Sequence, residues 1–154
     1  MTHIFRANLI ALLLPSALMA GALGSQYIGH LYPCEMCWWQ RWPHYAAIAL
    51  ATLGFFVPSG LARRLLIACA AGGILTSGLI GAFHAGVEYH WWQGVTSCST
   101  TMSGHSLNDI LNAPLIRCDQ PQWTLLGISL AGFNALISIP GALLSYAFLI
   151  KESG

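Results

Sequence analysis

The chain has 154 residues, of which 56% are hydrophobic and only 7% charged, with a formal net charge of +1. Soluble domains carry about 25% charged residues, so this composition excludes an ordinary soluble fold. No nucleic-acid partner is expected of such a chain.

Residues 7–34, 42–62, 65–87 and 120–150 contain no Asp, Glu, Lys or Arg. Each supplies the roughly 20 residues that a helix needs to cross a ~30 Å hydrocarbon layer. The expected fold is therefore all-α and integral to a membrane: one four-transmembrane-helix bundle over residues 1–154. The spans fall at about 9–29, 38–57, 65–87 and 123–149, with an outer loop over 88–121.

The first span carries Pro15 and many small residues, among them Ala17, Gly21, Ala22 and Gly24. Small residues let membrane helices approach closely. Arg6, an apolar run and Ala20-Gly21-Ala22 also resemble a cleavable signal peptide, but the apolar segment runs on to Leu31. That exceeds an h-region of about 7–15 residues, so the segment is expected to be retained. The second span ends at a Pro58-Ser59-Gly60 turn. The third carries Gly72, Gly73, Gly78 and Gly81, a second close-packing face.

The loop that follows is too long for a plain connector. Within it, Leu107, Ile110, Leu111, Leu115 and Ile116 recur at helix-like spacing among polar residues. This predicts a short amphipathic helix on the membrane surface, although Pro114 interrupts the pattern. The fourth span carries Pro140. Aromatic residues crowd the outer boundary, including Tyr32, Trp38, Trp39, Trp42, Trp91, Trp92 and Trp123. They read as an interfacial belt, some of whose rings can also wall a pocket.

Arg6, the Arg63 and Arg64 pair and Lys151 fall on one side of a four-span chain. The positive-inside bias makes that side cytoplasmic, with both termini. Cys34, Cys37, Cys98 and Cys118 then face the other side, which in a bacterium is the periplasm, where disulfides persist.

Cys34 and Cys37 form a Cys-x-x-Cys at the edge of the second span; Cys98 and Cys118 form a wide pair in the loop. Trp38, not His, follows Cys37, which excludes a c-type heme attachment. A four-cysteine zinc site is the rival to redox chemistry. Structural zinc sites more often use two tight knuckles, and an oxidising compartment favours disulfides, so no metal is expected. Cys37 falls in the first turn of a helix, where the dipole favours a thiolate, and Arg41 lies one turn further on the same face. A guanidinium there either stabilises a thiolate or an oxyanion, or snorkels to the interface. Cys98 and Cys118 lie on a loop that a soluble partner can reach. Cys69, mid-span, is given no catalytic role.

The segment Cys34-Glu35-Met36-Cys37-Trp38-Trp39-Gln40-Arg41 resembles the Cys-x-x-Cys-x-x-x-Arg signature of the disulfide bond formation protein B (DsbB) family. The four-span layout, the second cysteine pair, and Cys118-Asp119 followed by Trp123 and Gly127-Ile128-Ser129 resemble it as well. The resemblance implies a membrane oxidase of the bacterial inner membrane. Such an enzyme re-oxidises a periplasmic thioredoxin-fold DsbA-like protein and passes electrons to a quinone, ubiquinone or menaquinone. It implies that Cys98 is attacked by the reduced partner, that Cys118 then attacks Cys34, and that the freed Cys37 thiolate contacts the quinone beside Arg41. The family's quinone-side histidine after the third span falls here at His90. The DsbA–DsbB–quinone relay is itself a documented example of redox poise. Two alternatives remain: a membrane protein with structural zinc or inert disulfides, and a thiol-driven quinone reductase of the vitamin K epoxide reductase type.

Overall fold

The computed structural model describes residues 2–58, 60–96, 99–100 and 116–151. Four long helices make up most of them: α1 (His3–Tyr27), α2 (Glu35–Phe56), α3 (Leu61–Glu88) and α4 (Leu130–Lys151). Two short antiparallel pairs lie between α3 and α4. β1 (Ser99–Thr100) pairs with β2 (Ile116–Arg117), and β3 (Thr124–Leu125) pairs with β4 (Ile128–Ser129).

Three helices, α1, α3 and α4, are long and apolar enough to cross a membrane. α2 is the exception, and its burial pattern shows why. Its inward stripe is Met36, Gln40, Arg41, His44, Ala47, Ala51 and Gly54, polar at one end and small at the other. Trp42, Leu53 and Phe56 point outward. Polar side chains in a membrane bundle face the interior, where neighbouring helices satisfy them.

α3 packs against α2 and α4 along their lengths, and α1 lies between α2 and α4. The glycines of α3 permit that approach. A Cβ at Gly81 would come within 2.9 Å of the Ala131 carbonyl, and one at Gly78 within 2.9 Å of Ile139. The core of one half of the bundle is alanine-rich: Ala7, Ala11, Ala47, Ala51, Ala70 and Ala142 with Ile67 and Ile74. Such close packing suits helices held by dispersion rather than by expulsion from water. Prolines 15, 43 and 140 sit inside helices that continue past them, as bundle neighbours allow.

Four of the six basic residues, Arg6, Arg63, Arg64 and Lys151, gather at one end. Arg64 donates to the Leu149 carbonyl at 3.1 Å, and Arg6 lies over the Phe148 ring. Cys34 and Cys37 stand at the opposite end, where α1 hands over to α2.

The fourth helix starts later than its uncharged stretch suggests. Residues from Trp123 were expected to be helical, but Leu126 and Gly127 both take positive φ, 53° and 78°, which makes a hairpin turn between β3 and β4. Tyr89 Oη anchors the hairpin, donating to the Gly127 carbonyl and accepting from the Ser129 amide. Ser129 then caps α4, its Oγ accepting from the Gly132 amide at 3.1 Å, as an N-cap serine does. The expected amphipathic loop helix lies outside the described residues, except that Ile116, assigned to it, is in strand β2.

Candidate functional site

Cys34 is the N-cap of α2. Its extended backbone turns the side chain back over the first turn, where Sγ accepts the Cys37 amide at 3.3 Å. The Cys37 sulfur lies 2.7 Å from it, close enough to close into a disulfide after a small shift of either side chain. The Cys37 amide favours a thiolate on Cys34. The hydrogen bond with the Cys37 side chain and burial outweigh it, however, and push the Cys34 thiol well above its ordinary value.

Below the pair lies a buried polar layer that binds α2, α3 and α4. Gln40 Nε2 donates to the Met36 carbonyl at 3.1 Å and to His84 Nδ1 at 2.9 Å. With Nδ1 accepting, the ring proton sits on Nε2, assigned from the network rather than seen. That nitrogen faces Cys34 Sγ at 3.6 Å and Glu88 Oε1 at 3.8 Å. The same imidazole reaches the backbone of Cys118. Gln40 Oε1 accepts from Asn134 Nδ2 at 2.9 Å, which also reaches Ser77. Asn134 Oδ1 accepts from Ser138 and from His44 Nε2. Two polar atoms here are buried without a hydrogen bond, His44 Nδ1 and Glu88 Oε2.

Arg41 is 6% exposed, inside the bundle. Nη1 donates to Gln26 Oε1 at 2.5 Å and Nη2 to the Ala22 carbonyl at 3.3 Å, both on α1, and Trp38 stacks on it at 5.1 Å.

Cys118 differs from the expectation of a solvent-reachable loop sulfur. It is 2% exposed and packs in one cluster with Cys34, Met36, Val87 and Ile116, with Cys37 and Phe83 against it. The β1–β2 ladder lays Ile116 over the outer end of α3, and this carries Cys118 inward. Cys98 lies outside the described residues. Cys69 is exposed on the outer face of α3.

His90 is not among the residues lining the cavity beside the cysteines. It is exposed and has φ 60°. It is the left-handed residue of a helix-ending turn in which its amide bonds Val87 and the Trp91 amide bonds Gly86. The histidine brought to the cysteines is His84, six residues earlier. His84, Gln40, Glu88 and Asn134 were all missed by the reading of the chain. A signal existed: His84 and Glu88 are four apart on one face of an apolar helix, and intramembrane ionisable residues mark functional sites.

Beside the pair opens a cavity of about 260 Å³. Cys34, Cys37, Arg41, His84 and Glu88 line it at one side, and Leu18, Leu31, Phe133 and Trp123 are among its apolar walls. The α1 wall is made of Ala17, Gly21, Ala22 and Ser25, and a Cβ at Gly21 would meet nothing within 4 Å. These small residues, expected as a close-packing face, instead leave open space. The cavity suits a flat apolar ring with polar edge atoms. Cys34, Cys37 and His84 also bring three metal-ligating atoms within 4.8 Å of one another.

The family model described as "Disulfide bond formation protein DsbB" matches residues 5–148. The chain is 27% identical to a disulfide bond formation protein B of Alkalilimnicola ehrlichii, over 87% of this chain and 92% of that protein. It is 30% identical to one of Polaromonas sp., over 88% and 84%. An uncharacterized protein of Rickettsia prowazekii is 25% identical, over 86% and 80%. No solved structure matches the chain at a significant level.

Proposed function

This chain belongs to the disulfide bond formation protein DsbB family, and we propose that it re-oxidises a periplasmic DsbA-like dithiol protein and delivers the two electrons to a membrane quinone. The observation that carries this reading is the position of the Cys34–Cys37 pair between two neighbours. Buried Cys118 packs on one side, and the cavity, which Cys118 does not line, opens on the other. Electrons entering from a protein thiol and leaving to a lipid-soluble acceptor need that order.

The exchange runs through mixed disulfides. A partner thiolate attacks Cys98 and displaces Cys118. The Cys118 thiolate attacks Cys34 and displaces Cys37; the partner's second thiol then attacks its mixed disulfide with Cys98 and leaves oxidised, and the released Cys98 recloses on Cys118, so that Cys34 and Cys37 hold the dithiol. The raised Cys34 thiol leaves the negative charge of the reduced pair to Cys37, which faces the cavity with the fixed cation of Arg41. His84, in contact with Cys34 and with the Cys118 backbone, holds the two sulfurs' segments together. A quinone would be held by Cys37, Arg41 and the apolar walls, and supplies a two-electron, two-proton acceptor. Four membrane crossings, an inner-membrane location, cytoplasmic termini and periplasmic cysteines complete the reading, supported by the gathering of basic residues at the other end.

The test mixes purified protein, a reduced DsbA-like partner and a soluble quinone, and follows quinone absorbance. Quinone loss that needs both proteins is expected. No consumption, with the partner left reduced, would overturn the proposal.

A further inference from the structure

We propose that the reduced Cys34–Cys37 pair, with His84 and Glu88, forms a binding site for a zinc-class divalent cation that holds the pair reduced and blocks disulfide regeneration. The inference rests on the redox reading above for its consequence, but not for the site itself.

The geometry comes first. Zinc takes sulfur at about 2.3 Å and imidazole nitrogen at about 2.0–2.1 Å in a tetrahedron, so a bound S and N stand about 3.6 Å apart. Cys34 Sγ and His84 Nε2 stand 3.6 Å apart, and all three ligand atoms fall within 4.8 Å. The two sulfurs must separate, from 2.7 Å to about 3.8 Å for a tetrahedral edge, and the Glu88 carboxylate, which lies outside the group of three ligand atoms, must swing toward them. Glu88 supplies the fourth donor. Its Oε1 is 3.8 Å from His84 Nε2, and the Ser129 hydroxyl also reaches the carboxylate. Two thiolates and a carboxylate also outweigh the cation's charge, which suits a site flanked by Arg41.

The outer contacts are in place with one adjustment. A metal-bound histidine carries its proton on the other nitrogen and donates it to an oxygen. Gln40 now presents Nε2 to His84 Nδ1; turning its amide over presents the oxygen instead, and gives up its bonds to the Met36 carbonyl and to Asn134 Nδ2. Binding then releases the thiol proton that remains on Cys34 to solvent and changes no oxidation state. Only the dithiol qualifies, because disulfide sulfurs are not thiolates. Occupancy is thus a redox-gated brake: metal enters when the pair is reduced and keeps it so.

The experiment uses full-length protein in detergent, reduced and freed of reductant, with neither quinone nor partner present. Zinc binding is read by chelator competition, and Cd²⁺ binding by thiolate absorbance. One ion per chain is expected in the reduced protein and none after oxidation, with saturating zinc then blocking quinone reduction. His84→Ala and, as a variant that keeps the helix end intact, Glu88→Gln are expected to weaken binding by about tenfold or more. Cys118→Ser is expected to leave it unchanged. No binding, equal binding by the oxidised protein, or binding lost in Cys118→Ser but kept in His84→Ala would overturn the site. Failure to bind zinc in a protein that reduces quinone sinks the metal site alone. Zinc binding in a protein that never reduces quinone supports the site and sinks the redox reading.

Discussion

The guanidinium of Arg41 donates to the side-chain oxygen of Gln26 at 2.5 Å, joining α2 to α1 across the mouth of the cavity. Its other hydrogen bond runs to a neutral carbonyl as well, and among the described residues no carboxylate lies within ion-pair distance of it. A buried cation held by dipoles alone retains its attraction for an anion in the cavity, since nothing has neutralised it. The contact therefore fixes where that charge points without spending it.

Arg41→Met is expected to fold and to weaken quinone turnover, with Arg41→Lys recovering only part because lysine lacks the planar fork that meets Gln26 and Ala22 together. Losing a hydrogen bond to a charged group costs about 1.5–3 kcal/mol, or roughly tenfold to over a hundredfold. Steady-state kinetics against varied quinone separate the roles: a raised KM for binding, a lowered kcat for charge stabilisation in the reaction. Unchanged kinetics in the methionine variant would remove Arg41 from the site.

Gly21 offers a test of the cavity itself. Because a Cβ there meets open space and Gly21 lines the cavity, Gly21→Leu is expected to fold normally and to narrow the cavity from its α1 wall. Quinone KM should rise at least tenfold, while thiol exchange with the partner protein continues for one turnover. Native quinone kinetics in this variant would place the acceptor elsewhere.

Cys118→Ala and Cys37→Ala should fail differently. Without Cys118 the Cys34–Cys37 disulfide can still form but cannot be passed on, so partner oxidation stops while thiol trapping finds that pair oxidised. Without Cys37, quinone reduction is lost and Cys34 is left to Cys118, its neighbour in the buried cluster. Partner turnover at the native rate in Cys118→Ala would break the proposed order.

The Cys34 thiol gives a pH signature. It holds its proton more tightly folded than unfolded, so its contribution is complete below the ordinary thiol value of 9.0 and is lost as pH rises beyond it. The reduced protein should lose up to about 1.4 kcal/mol per pH unit above that point relative to the oxidised protein, which has no thiol there. Thermal unfolding in detergent of both redox forms between pH 8 and 10 measures it. Parallel curves would contradict the assignment.

Orientation is open to labelling. In a variant lacking the native cysteines, Val95→Cys is expected to react with an impermeant maleimide in intact cells, and Leu61→Cys only after permeabilisation. Both positions are exposed. The reverse pattern would invert the topology.

Long uncharged stretches separated by basic turns fixed the helical character of the chain, because a hydrocarbon layer demands length and apolarity that composition alone reveals. The Cys-x-x-Cys and Arg41 were legible for a similar reason: neighbours along a helix share a face at set spacings. What lies far apart in sequence was not legible. That Cys118 packs on Cys34, that His84 rather than His90 meets the sulfurs, and that α1's small residues open a cavity instead of closing a seam all depend on how helices rotate against one another. A local reversal hid the start of α4 as well, because the Leu126 and Gly127 turn has no signature in hydropathy. Periodicity tells which residues share a face; only packing decides what that face meets.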